Sequence, residues 1–295
     1  MNRNVRIPHV AVDLSDRRVI SWRLLAAVLA VEVVLSAAFN LVVFRSEWFL
    51  ETVFRPVFVA TGGLVGPTLL VNAVNVLLVL VGLLILVGGL RLRDLGLERS
   101  KLPLAAAVTA GLWATIQVVG AAVAYVQTGS VALDPLWSTA GVGAVLGLLV
   151  AQLFGNALFE EVLYRAVLLD QLVLKLRHRR RGFLLALVGS QAVFSLLHVP
   201  NRLYQGFPLD ALLVSLGMLF LMGLLFALVY HRTGNLLVAV GVHAVGNAPT
   251  MLVETPVSGN FLTVVLAVVL VVVWPVVSGS RGSGPQSSDE VRPTA

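Results

Sequence analysis

The sequence predicts an all-α polytopic membrane protein with about eight transmembrane helices and a polar site inside the membrane. Three observations lead there. Hydrophobic residues make up 58% of the chain and charged residues only 12%, with a mean hydropathy of +0.93. A soluble domain of this length needs roughly a quarter of its residues charged to coat its surface. Apolar runs long enough to span a bilayer, about 20 residues each, recur near 19–44, 67–90, 103–127, 140–173, 183–199, 210–230, 235–253 and 261–277. Finally, the stretch from Ala140 to Leu174 is otherwise apolar but carries Glu160, Glu161, Arg165 and Asp170. A charge at membrane depth costs about 2.5–3.5 kcal/mol on insertion scales, so such residues mark function by default.

Loop charges set the expected topology. Arg91, Arg93, Arg99 and Lys101 follow the second span. Lys175, Arg177, Arg179, Arg180 and Arg181 follow the fourth. Two spans separate these loops, so both face one side, and Lys/Arg enrichment assigns that side to the cytoplasm. The N-terminal arginines and the turn at His231–Asn235 fall on the same side. Eight spans then leave both termini cytoplasmic, as expected for the plasma membrane of a prokaryote. The first apolar run is too long for the h-region of a cleaved signal peptide. The domain plan follows: a cytoplasmic segment at 1–18, N-terminal transmembrane helices over 19–130, a helical core carrying the polar site over 131–277, and a Ser/Gly/Pro-rich tail at 278–295 expected to be disordered. The chain has no cysteine, which excludes disulfides and thiol chemistry. Its net charge of +6 is explained by the loops and does not call for nucleic acid.

Three groups of polar residues stand out. Glu161 and Arg165 are four apart on a helix and can pair. Glu160 projects about 100° away from Glu161, which leaves it for a cavity. Phe194 and His198 share a face, with Pro200 marking the outer end of their span. His243 and Asn247 also share a face, and Gly241 and Gly246 permit close approach of another helix or a substrate backbone. Each group alone is compatible with an ion pair or a hydrogen bond between packed helices. Depth joins them: at 1.5 Å per residue from the cytoplasmic ends, Glu160 lies roughly 20 Å in, His198 roughly 24 Å, His243 roughly 12 Å and Asn247 roughly 18 Å. One site between the fourth, fifth and seventh spans is the economical reading. Glu32 has no evident partner, Asn72 and Asn75 suit interhelical hydrogen bonds, and His9, His178 and His231 are expected to be solvated.

A glutamate and a histidine can together deprotonate water. A second histidine and an asparagine can stabilise an oxyanion. The same Glu160, His198 and His243 side chains could instead hold a divalent metal such as zinc, with water as the fourth ligand. The helical H-E-x-x-H signature is absent, and the sequence leaves both options open.

The set Glu160-Glu161-x-x-x-Arg165, Phe194-x-x-x-His198 and His243-x-x-x-Asn247, with the His231–Leu236 turn before the third motif, resembles the CPBP intramembrane proteases, the family of CAAX-processing endopeptidases and bacteriocin-immunity proteins. The resemblance spans about 140–250. It implies a membrane endopeptidase in which Glu160 and His198 activate water, His243 and Asn247 form the oxyanion site, and Glu161, Arg165 and Phe194 support them. The partners expected are the lipid bilayer and a membrane-associated protein or peptide substrate. The alternatives are a proton- or ion-coupled transporter, for which paired broken helices and internal repeats are not evident in the sequence, and a non-enzymatic immunity or scaffold protein.

Overall fold

Eight apolar helices organise the computed structural model, which describes residues 12–277. His9 and the tail at 278–295 lie outside the described residues. We number the helices α1 (Trp22–Leu41), α2 (Pro67–Val87), α3 (Leu102–Thr128), α4 (Val142–Leu176), α5 (Gly182–Tyr204), α6 (Leu209–Thr233), α7 (Leu236–Asn247) and α8 (Gly259–Val277). All but α7 are long and apolar enough to cross a membrane. The protein is therefore an integral membrane protein of the expected class.

Local chemistry sets most helix ends. Ser21 caps α1 by accepting from the Leu24 N–H at 3.1 Å. Pro67 opens α2, where its missing N–H costs nothing. Gly234, at φ +63°, ends α6 in the left-handed region that glycine enters without strain. Asn235 then starts α7, accepting from Leu237 N–H and donating to Lys101 O. This explains the Thr-Gly-Asn turn read from the sequence: it stops one helix and starts the next within two residues.

α2 turns π-helical over Val76–Val87, and two elements depart further from the expected pattern. α4 is not continuous. It is α-helical over Val142–Leu153, breaks at Phe154–Gly155, resumes over Asn156–Glu160, and becomes π-helical over Glu161–Leu169 before its last turns at Asp170–Leu176. A Cβ on Gly155 would sit 2.5 Å from Ala151 O and 3.2 Å from the Asn72 side chain, so the break is where α2 packs close. This is a single break, not the paired broken helices of a repeat-built transporter. π-helical stretches inside α-helices favour functional sites.

α7 is the second departure. Its 12 residues span only about 18 Å, and the seventh apolar run continues as irregular backbone. Membrane-depth backbone outside a helix must be satisfied by protein. Gln117 on α3 does this twice, donating to Pro249 O at 3.2 Å and accepting from Leu252 N–H at 2.8 Å. Trp113 and Trp137 add hydrogen bonds to Thr250 Oγ1 and Met251 O. Backbone bonds join 252 and 254 to the loop at 132–134. α7 packs against α3, α4, α6 and α8 and is the buried axis of the bundle.

At the arginine-rich end, the segment before α1 is tied across the bundle. Arg17 donates to Asp94 O and to the Tyr230 hydroxyl, which in turn donates to buried Asp170 at 2.9 Å. His178 is exposed as expected. His231 is not: it is 4% exposed, because α6 continues to Thr233 and carries it beneath Phe183, whose ring meets it edge-on at 5.5 Å.

The glycines of α7 differ in role. A Cβ on Gly241 would meet Thr109 Oγ1 of α3 at 1.7 Å, whereas at Gly246 the nearest atom lies at 3.7 Å. Gly241→Ala should therefore destabilise the protein by about 1–3 kcal/mol through overpacking. Thermal unfolding in detergent should show a lowered midpoint, with part of the loss recovered by adding Thr109→Ala. An unchanged midpoint for Gly241→Ala would contradict the close α3–α7 contact.

Candidate active site

The π-helical stretch of α4 places Glu161 and Arg165 on the bundle axis, both fully buried. Arg165 Nε lies 3.2 Å from Glu161 Oε2, outside good hydrogen-bond alignment but well within ion-pair range. The other carboxylate oxygen, Oε1, is 2.8 Å from His243 Nδ1. Glu161 thus bridges a cation on its own helix and a ring on α7. Arg165 also donates to Gly223 O on α6 at 3.4 Å. Its guanidinium carbon lies 4.4 Å from the Phe194 ring centre and 5.6 Å from that of Phe226. Aromatic faces stabilise a cation that water cannot reach. Gly223 is needed here, since a Cβ would come within 2.7 Å of Gln191 and 3.0 Å of Phe194.

Glu160 is one residue earlier and points elsewhere. It lines a cavity of about 590 Å³ together with His198, His243, Asn247 and Phe194. One of its oxygens is 3.7 Å from His198 Nε2 and the other 3.6 Å from His243 Nε2. Both gaps exceed a direct hydrogen bond and suit a bridging water. Hydrogen bonds behind the rings fix which nitrogen carries a proton. His198 Nδ1 faces Phe194 O at 2.8 Å, and a carbonyl only accepts, so Nδ1 donates. His243 Nδ1 donates to the Glu161 carboxylate by the same reasoning. In each ring Nε2 is then the nitrogen that faces Glu160. Phe226 stacks on His243 at 4.3 Å and Phe194 meets His198 edge-on at 4.7 Å, which holds the planes.

Asn247 sits at the last turn of α7, where its amide donates to Gln152 Oε1 at 3.0 Å. Every residue of the three sequence motifs is thus accounted for. Glu160, His198, His243, Asn247 and Phe194 line one cavity, while Glu161 and Arg165 lie directly behind them. Gln152 was not foreseen. Neither was the contribution of α1 and α2: Glu32, 6% exposed, lines the same cavity with its Oε2 unpartnered, beside Asn72 and Asn75. The signal was a polar side chain in an apolar span, but nothing in sequence said which way it faced. Helix α5 is kinked rather than ended near Pro200, and its last turns at Val199–Tyr204 add Asn201 and Arg202 to the cavity.

Zinc takes nitrogen and carboxylate ligands of the kinds that Glu160, His198 and His243 supply. The gaps of 3.7 and 3.6 Å from the Glu160 oxygens to the two Nε2 atoms are close to the spacing of ligand atoms around a tetrahedral ion. Glu160, His198 and His243 would therefore be the residues to hold zinc, which would supply a polarised water there; the steps below use these side chains alone.

Residues 142–249 match the family model described as Type II CAAX prenyl endopeptidase Rce1-like. The matched segment contains all three motifs, which bears out the resemblance read from them and supports a CAAX-type membrane protease. No curated protein and no solved structure matches the chain.

The two glutamates should separate in stability measurements. Glu161→Gln leaves Arg165 without its counter-charge in a dry site and should cost about 3–5 kcal/mol. Glu160→Gln removes a carboxylate that faces a cavity and makes no hydrogen bond, and should leave the thermal midpoint in detergent near that of the parent. Equal losses for both variants would refute the division between them.

Proposed function

We propose that the protein is an intramembrane endopeptidase that hydrolyses a peptide bond with a metal-free activated water. The observation that carries this reading is the position of Glu160, with its two oxygens 3.7 and 3.6 Å from the Nε2 atoms of His198 and His243 at the wall of a cavity. A water held there donates one hydrogen to Glu160 and the other to His198 Nε2. Glu160 takes the proton as the oxygen attacks the carbonyl carbon, and later returns it to the leaving nitrogen. The negative charge that develops on the carbonyl oxygen is met by donors. Asn247 has two amide hydrogens, one already aimed at Gln152; the second serves the oxyanion. For His243 to serve there its Nε2 must carry a proton, which makes it an imidazolium between Glu160 and Glu161. The substrate is a membrane-associated protein or peptide. The site lies in the plasma membrane of a prokaryote, with both termini cytoplasmic.

Purified protein should cleave a quenched peptide in detergent, and Glu160→Gln should abolish cleavage. Cleavage that survives a zinc chelator supports the metal-free reading, and loss restored by zinc would replace it with a metal-bound water. Ion or solute transport in vesicles without cleavage would favour the transporter alternative. No turnover of either kind would favour an immunity or scaffold protein.

Because Asn247 acts on charge present only in the transition state, Asn247→Ala should lower kcat by about 10²–10³-fold. Substrate affinity, measured in a Glu160→Gln background, should hardly move. Weakened affinity with an unchanged kcat would make Asn247 a docking residue instead.

A further inference from the structure

The cavity is not central along the helix bundle. Its inner part is lined by buried Phe159, Val242 and Ala267, the last two near the midpoints of α7 and α8. Its rim is formed by Gln205 after α5 and by Asn260 in the first turn of α8, both exposed. The last turns of α1 and the first turn of α2, through Asn40 and Thr68, line the same half. All of these lie at the end of the bundle opposite the loops that join α2 to α3 and α4 to α5.

Charge separates the two ends. Seventeen Lys and Arg residues fall within 12–277. One, Arg165, is in the site. Three, Arg45, Arg55 and Arg202, lie at the cavity end. The other thirteen lie at the far end. Loops this short follow the positive-inside rule, which puts the thirteen-residue end in the cytoplasm. Membrane-interface aromatics are consistent with a second boundary at the cavity end, where Trp48 beyond α1 and Tyr204 at the last residue of α5 are exposed.

We propose that substrate reaches Glu160 from the extracytoplasmic side. The substrates are then polypeptide segments exposed on that face, or buried in the outer half of the bilayer, rather than cytoplasmic tails. The lining fits an unwound main chain. Nine carboxamide side chains line the cavity. Some bond one another, as Asn201 does Asn40 and Asn247 does Gln152. Each has two donor hydrogens and an acceptor oxygen with two lone pairs, which leaves capacity for the unpaired N–H and C=O groups of an extended segment. This inference takes its substrate from the endopeptidase reading, but the side on which the cavity opens is independent of it.

The test uses the full chain, whose lack of cysteine makes any introduced thiol the sole target. Gln205→Cys and Asn260→Cys should react with an impermeant maleimide added to intact cells, and Arg179→Cys only after permeabilisation. The reverse pattern would overturn the proposal. Vesicles provide the second arm, with an impermeant quenched peptide that detergent-solubilised protein cleaves in a Glu160-dependent manner. Right-side-out vesicles should cleave it, and inverted vesicles only once detergent opens them. Cleavage by intact inverted vesicles alone would overturn the proposal. If solubilised protein cleaves nothing, the endopeptidase reading fails while the thiol pattern still decides the side.

Discussion

The site depends on one buried carboxylate shared between two partners. Glu161 faces Arg165 with one oxygen and accepts from His243 with the other. A charge in this position is tolerated only while it is paired, since removing one partner of a buried pair is far costlier than the pair is worth. The constraint propagates outward. It fixes the register of α4 against α7, selects the nitrogen of His243 that carries a proton, and turns the other nitrogen toward Glu160. Arg165 extends the same network to α6 through Gly223, and to α5 through the Phe194 ring. Four helices are thereby locked around the wall of a cavity, and Glu160 is left without a hydrogen bond of its own.

This arrangement explains why adjacent glutamates can differ. Neighbouring helical positions point about 100° apart, so one falls in the packed axis and the other at the cavity wall. The π-helical stretch begins at Glu161, the junction between the two environments. A wider turn there accommodates a fully buried arginine without displacing the cavity-facing residue before it.

Much of the site was legible in the sequence because its parts are local. Glu161 with Arg165, Phe194 with His198 and His243 with Asn247 are each four apart, and helical periodicity puts each pair on one face. Depth counting then pointed to three helices, whose polar residues line one cavity in the structure. What escaped was non-local. The bond from Glu161 to His243 crosses 82 positions, and that from Gln152 to Asn247 crosses 95. Glu32 looked unpartnered, and its Oε2 is; what the sequence did not show is that it lines the cavity. His231 looked like a loop residue because α6 runs further than its apolar pattern. The short α7 read as a full span because the irregular residues after it are apolar too, and only the Gln117 and tryptophan hydrogen bonds reveal how that backbone is satisfied.

The central claim is that Glu161 sets the protonation geometry of His243, and nitrogen NMR of the ring tests it most directly. With ¹⁵N-histidine in the membrane-embedded protein and His243 assigned by its loss in a His243→Gln variant, the account predicts a proton on Nδ1 in a strong hydrogen bond. That signal should change in Glu161→Gln and remain in Glu160→Gln. A His243 ring protonated only at Nε2, or one indifferent to Glu161→Gln, would contradict the account.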